Sequence, residues 1–200
     1  MILGSPLPIL PFTALNPVNT SPNIALSNGY LTATQTGSSV QATSCSVTSH
    51  SSGKFFASAH MDHVVTLDFA AFGIKSPSSG TGNALGGADN ASVGFYNGDA
   101  TVYVNNASIG TIATYAQGDT VDMAVDFDHS TIWYRINGGN WNNSGTANPA
   151  TNTGGFSFSA IVASAPFCAA LLLFNAPDAW TINFGGGAYP FAPPAGFSNW

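Results

Sequence analysis

Four of the chain's nine carboxylates, one of its four histidines and its single arginine fall within GDTVDMAVDFDHSTIWYRINGG, residues 118–139. Carboxylates and an imidazole at this density could hold a divalent cation or serve as acid and base. Their spacing argues against both. An extended strand puts Val121, Met123, Val125 and Phe127 on one face and Asp122, Asp126 and Asp128 on the other. Calcium needs about six to eight oxygens converging from a curved loop, whereas carboxylates along a straight strand diverge towards solvent or a neighbouring loop. Asp128-His129-Ser130 reads as a turn and TIWYRI as the returning strand, with Ile132, Tyr134 and Ile136 alternating against Trp133 and Arg135. Asn137-Gly138-Gly139 is the next turn. The stretch is expected to be a hairpin with one face in a core.

Other chemistry-bearing residues fare similarly. In His60-Met61-Asp62-His63 a helix could offer two imidazoles to a metal, but Phe55, Ala57, Ala59 and Met61 alternate as in a strand. His60 and His63 then face opposite sides. No G-x-S-x-G elbow occurs, and serines are too common for a Ser/His/Asp set to be singled out. Glycosidases need two carboxyl groups at a set separation; jelly-roll glucanases supply glutamates, and this chain has none. There is no glycine-rich phosphate loop. The reading is a non-enzyme with no catalytic residues, no metal site and no cofactor.

The elements that must carry these residues are short strands. Of 200 residues, 44% are apolar and 6% charged, against a usual charged share of about 25%. Lys54, Lys75 and Arg135 are the only cations besides histidine, too few for the positive stripe that binds nucleic acid. A surface of Ser, Thr, Asn, Gly and Ala loses little side-chain entropy on ordering and suits close packing in an assembly. Alternating runs broken by Asn-Gly, Gly-Asp and Ser-Gly pairs predict strands at 31–36, 40–48, 54–62, 64–74, 92–97, 100–106, 109–115, 120–128, 131–137, 156–161, 167–175 and 180–184. The fold class is all-β, a two-sheet antiparallel β-sandwich. Residues 76–91 and 138–155 are long loops, where function tends to sit. Cys45 and Cys168 stand 123 positions apart; they read first as buried free thiols, with a single long-range disulfide left open.

Residues 1–22 form an expected arm ahead of a domain at 23–200. Pro6, Pro8, Pro11, Pro17 and Pro22 favour an extended chain. Pro6, Pro8 and Pro11, with no basic residue before them, also argue against a signal peptide. No segment reads as a transmembrane span. Ile2, Leu3, Leu7, Ile9, Leu10 and Phe12 must leave water, either along their own sandwich or on a neighbouring subunit, with the neighbour favoured. A second surface is offered by Trp141 with Asn140, Asn142 and Asn143: an aromatic platform flanked by amides suits a sugar, unless Trp141 folds back onto the sandwich.

At the hairpin the sequence resembles SPRY domains, whose signature is Gly-Asp, a hydrophobic strand ending in Asp, a short turn and an alternating strand closing on Asn-Gly. SSGKFFASAHMD (51–62), AAFGIKSP (70–77), LGGADNASVGFYNGD (85–99) and INFGGGAYPFAPPAGFSNW (182–200) are similar to further family segments in the family's order. The resemblance covers about residues 24–200. It implies a bent, concanavalin-like jelly-roll sandwich that binds partners through rim loops and is not an enzyme. SPNIALSNGYLTAT (21–34) looks like phage and bacterial versions, in which the domain is part of tail or capsid proteins. The expectation is therefore a structural subunit of a phage-like virion: a decoration, tail or fibre-associated protein, made in the host cytoplasm. Its partners would be other virion subunits or further copies of itself through the arm, with no nucleic acid and no membrane. The alternative is a soluble module binding a peptide or glycan at the rim loops.

Overall fold

The structure, a computed structural model, describes residues 13–65, 69–89 and 91–200. Two antiparallel sheets pack face to face. The first runs β1 (Leu15–Thr20), β4 (Ala42–His50), β13 (Phe167–Leu173), β6 (Ala71–Lys75), β7 (Ser92–Tyr96), β8 (Thr101–Val104) and β9 (Ala107–Thr111). The second runs β12 (Phe156–Ser157), β11 (Thr131–Ile136), β10 (Thr120–Asp126), β5 (Lys54–His63), β14 (Ala179–Asn183), β3 (Thr32–Gln35) and β2 (Ile24–Ser27). A two-residue strand, β15 (Ser198–Asn199), adds in parallel to the start of β5. The sandwich expected from the alternation is the fold observed.

The main core lies between the sheets, where Val121, Met123, Val125 and Phe127 of the hairpin meet Phe72, Phe95, Leu171 and Trp180. Each long inner strand contributes alternate side chains, so the alternation identified this face correctly.

Several boundaries differ from expectation. Leu15–Thr20, placed in the arm by sequence, is an edge strand of the first sheet paired to β4. An edge strand tolerates Pro17 because its missing N–H can face away from the ladder. Residues 24–27 and 198–199 are also strands, too short to show a period. The strand expected over 64–74 begins only at Ala71, and that over 109–115 ends at Thr111. Of 156–161, only the first two residues are strand; Ser159–Ser164 winds into a 3-10 turn that buries Ile161. Ile2, Leu3, Leu7, Ile9, Leu10 and Phe12 lie outside the described residues.

Cys45 and Cys168 are not free thiols: they form a disulfide between β4 and β13, with Cα atoms 5.7 Å apart. Distance in sequence is irrelevant here because the sheet order makes β4 and β13 neighbours. An irregularity in their register between Cys168 and Ala170 brings the two side chains together.

Each outer face is partly covered. On the first sheet, Leu85 from the 76–91 loop closes over Cys45, Ala71, Cys168, Ala170 and Leu172. On the second, Trp141, Ala147, Tyr189 and Phe197 cover Phe56, Ala124 and Trp133. The molecule thus has a partial roof on each sheet, and these roofs decide what the chemistry-bearing residues can do.

Candidate functional site

The aspartates of the hairpin were expected at solvent or a loop. Asp122 and Asp126 are instead fully buried beneath the roof of the second sheet. Each has a cation across the ladder. Arg135 faces Asp122 on β11, and its Nε donates to Asp122 Oδ2 at 2.7 Å. Lys54 faces Asp126 on β5, with Nζ 3.1 Å from Oδ2, and His129 Nδ1 lies 2.8 Å from the same oxygen. Burial pushes the Asp122 carboxyl up, more than Ser58 and Arg135 pull it down. Burial also pushes Asp126 up, but bonds from His129 and Lys54 outweigh it and hold the carboxyl below its usual range. These are cross-strand ion pairs within a covered layer, and their carboxylates cannot reach a substrate.

Trp141 folds onto this same layer. Its ring lies 4.4 Å from the Arg135 guanidinium and edge-on to Phe56 at 6.5 Å. Arg135 Nη2 also donates to Ala192 O at 2.7 Å, tying the C-terminal segment to the hairpin. Asn142 is buried in a left-handed conformation (φ 49°), which asparagine tolerates better than most residues. Its Oδ1 accepts the Tyr134 N–H and its Nδ2 donates to Gly154 O, replacing a missing ladder partner at the edge of β11. Asn143 Nδ2 reaches Ile112 O at 3.2 Å. Trp141, Asn140, Asn142 and Asn143 are thus close in space, but two of the three amides are spent on the chain's own backbone. Asn140, the exposed remainder of Asn143 and the uncovered part of Trp141 are what this patch presents outward.

His60 and Asp62 lie on one face of β5. His60 Nδ1 is 3.2 Å from Thr120 Oγ1, and Thr181 Oγ1 donates to Asp62 Oδ2 at 2.7 Å. Among the described residues, no group of three or more His, Cys, Asp or Glu side chains is arranged to hold a metal.

A better-built surface lies on the first sheet, where the 76–91 loop crosses the outer face. The loop follows the last residue of β6, Lys75, which is 1% exposed. Its Nζ donates to Ser79 O at 3.0 Å and Gly80 O at 2.9 Å. Thr43 N–H donates to Thr81 O at 2.8 Å. At the far end Asp89 accepts from Ser79 Oγ, Ala91 N and Ser92 Oγ, and Ser92 Oγ in turn accepts the Gly86 N–H. Burial pushes the Lys75 amine down to about 8, with the negative charge of Asp89 opposing it.

The loop's tip sits against β7 and β8 because two glycines allow it. A Cβ on Gly86 (φ 74°) would meet Tyr103 O at 2.3 Å, and one on Gly94 would meet Leu85 Cβ and O at 2.7 Å. Asn106 N–H then bonds Gly86 O, and Tyr96 Oη donates to Leu85 O. The result is a hollow of about 170 Å³ lined by Leu85, Gly86, Tyr96, Tyr103 and Asn106. A second hollow of about 270 Å³ shares Ala84, Gly87 and Asn106 with it and extends to Gln41 and Asp89. Tyr103 stands edge-on to Tyr96 at 5.5 Å, its hydroxyl donating to Asp99 Oδ2 at 2.5 Å. That bond and then burial push the Tyr103 phenol up. The sequence had marked 76–91 as a loop of interest but not Tyr96, Tyr103 or Asn106. The available signal was Tyr103 in TVYV, a large aromatic on the outward phase of a strand whose Val102 and Val104 are core.

Lys75→Met removes the ammonium that holds two loop carbonyls. A charged hydrogen bond contributes about 1.5–3 kcal/mol, so amides of residues 79–89 are expected to lose roughly tenfold or more in hydrogen-exchange protection while β4 and β13 keep theirs. The wild type carries a pH signature as well. The folded value of Lys75 lies below the ordinary one, so confining its charge costs stability up to pH about 8. That cost is relieved as the pH rises from about 8 towards 10. Lys75→Met should flatten this rise; an unchanged profile together with unchanged exchange would remove Lys75 from the loop's support.

No family model and no curated protein matches the sequence. Solved structures do match the fold. The SPRY domain of human HERC1 aligns at 15% identity with a TM-score of 0.69, covering 88% of this chain and 100% of that one. Another human SPRY domain aligns at 13% identity and 0.57, covering 83% and 98%. The PSpry domain of TRIM65 aligns at 8% identity and 0.59, covering 86% and 92%. These similarities establish the SPRY-type β-sandwich.

Proposed function

We propose, from a chain with the SPRY-type fold, that this protein is a non-enzymatic interaction module which binds a segment of another protein on the groove beside the 76–91 loop. The observation that carries the reading is Tyr103, an outward aromatic held next to a loop that Lys75, Asp89 and two glycines fix in place. A preformed groove of this kind binds with little ordering cost. Asp89 and Asp99 border it and the nearby cation Lys75 is buried, so the favoured ligand is a neutral or basic extended peptide.

A random dodecapeptide display library selected on the intact protein tests this. Enriched peptides should bind the wild type and weaken by roughly tenfold or more on Tyr103→Ala, as expected for loss of an aromatic anchor. Peptides that bind both proteins equally, or no enrichment over a bare support, would sink the groove as the binding face. A glycan array probed with the wild type and with Trp141→Ala tests the alternative patch at Trp141, Asn140 and Asn143.

The finer reading places the module in a phage-like virion as a decoration, tail or fibre-associated subunit, with residues 2–12 docking on neighbouring subunits or further copies. Its support is the near-absence of charge and the apolar residues of that segment. A disulfide suits such a setting, since disulfides persist on virion surfaces and in other oxidising environments. Light scattering after size exclusion on the full chain and on one lacking residues 1–12 separates the two roles. Defined oligomers that become folded monomers on truncation support assembly through the segment; monomers in both cases remove self-assembly. The cut stops at residue 12 because β1 begins at Leu15 and is needed by the first sheet.

A further inference from the structure

At the mouth of the sandwich, the β7–β8 turn and the β9–β10 connection enclose a hollow of about 200 Å³, lined by Asn97, Gly98, Thr114, Tyr115, Ala116 and Asp119. Asn97 continues the row of Val93 and Phe95, whose side chains enter the core, so the strand alternation carries its amide inward. It is 1% exposed, and neither Nδ2 nor Oδ1 has a hydrogen-bond partner. Most buried amides are paired, so an unpaired one beside a hollow calls for an explanation, and a group entering the hollow would supply one.

The Tyr115 hydroxyl and the Asp119 carboxylate of the hollow already have partners. The Tyr115 hydroxyl meets Phe95 O at 2.7 Å and Ala70 O at 3.3 Å. Asp119 Oδ2 accepts the Ala116 N–H, and Oδ1 accepts Asn137 Nδ2. One edge of the Asn97 amide therefore presents a donor and an acceptor side by side in a plane. The complement is a group with the same pair reversed, a primary carboxamide, which closes two parallel N–H···O bonds with it. Turning the Asn97 amide over exchanges its N and O and leaves this complement unchanged. A carboxylate lacks the donor and would face the Asp119 charge, and a guanidinium or ammonium lacks the acceptor. We infer that this hollow binds a primary carboxamide, either the side chain of a glutamine or asparagine on a partner or a small free amide.

Titration of 15N-labelled protein with propionamide tests the inference, read on the backbone amide resonances of residues 97–98 and 114–119 and, in the wild type, also on the Asn97 side-chain NH2. Butanone and propionate are the controls of matched size. A saturable shift with propionamide, and binding roughly tenfold or more weaker for both controls, is expected of a site that pairs with both atoms of the amide. Asn97→Leu, which keeps the branching at Cγ but removes both polar atoms, should abolish the preference. Equal shifts with butanone, or a propionamide preference that survives in Asn97→Leu, would overturn it. The source is separated by acetyl-Ala-Gln-Ala-N-methylamide: tighter binding than propionamide assigns the site to a protein partner, and binding no tighter assigns it to a small amide. Tyr103→Ala should leave all of these results unchanged, so failure here and failure of the peptide groove are distinguishable.

Discussion

Arg135→Ala is expected to destabilise the protein by about 3–5 kcal/mol, the range found when one partner of a buried ion pair is removed. The cost comes less from the lost attraction than from what remains. Asp122 is fully buried, and Arg135 supplies the facing charge on the adjacent strand. The same guanidinium bonds Ala192 O and lies against the Trp141 ring, so its removal also loosens the roof over the second sheet. Arg135→Lys should recover only part of the loss, because an ammonium cannot bond Asp122 and Ala192 with the same planar fork. The loss should shrink in acid. Without Arg135 the folded-state carboxyl of Asp122 is driven further above its unfolded value, so the variant is favoured below that unfolded value and loses stability as the pH rises through the folded one. Asp126, held low by Lys54 and His129, weakens both proteins as the pH falls and cancels in the difference. Urea unfolding at pH 7 and pH 4 measures this, and equal losses at both would show that Asp122 is not the cause. Adding Asp122→Asn to Arg135→Ala should return part of the stability at pH 7 by removing the stranded charge.

The second large effect is expected from the disulfide. Replacing both Cys45 and Cys168 with alanine should cost about 2–5 kcal/mol, since the crosslink closes a long loop in the unfolded chain. Measured against a typical total of about 5–15 kcal/mol, this is a large share. The residues around it, Leu85, Ala71, Ala170 and Leu172, form a small apolar cluster under the 76–91 loop, so the double variant also leaves space beneath the peptide groove. Urea midpoints with and without a thiol reductant read the covalent part separately from the packing part. A wild type whose midpoint is unmoved once the bond is shown to be reduced would contradict the expectation.

The two predictions concern residues that sequence reasoning treated in opposite ways, and the reason is physical. The alternation of β10 correctly assigned Val121, Met123, Val125 and Phe127 to a buried face, that of β11 set Ile132, Tyr134 and Ile136 on one side of their strand, and the turn between the strands was legible too. The alternation correctly gave a sandwich of two antiparallel sheets. It also correctly put Asp122 and Asp126 on the opposite face. What it could not supply was the environment of that face. The Trp141 segment and residues 189–197, which cover it, are recruited from loops with no period of their own.

The groove and the Asn97 hollow show the same division. Local sequence was enough to identify 76–91 as a loop and 92–97 as a strand. The fixing of that loop depends on Lys75, Thr43 and Ser92, which are joined only after four strands are paired. Cys45 meets Cys168 only because β4 and β13 are neighbours in the sheet order. By itself, then, the sequence determined which residues share a face and where the chain turns, because a strand's side chains alternate by local geometry alone. The tertiary structure alone decided which of those faces are covered, which charges meet, and which amide is left unpaired, because these depend on contacts between segments distant in the chain.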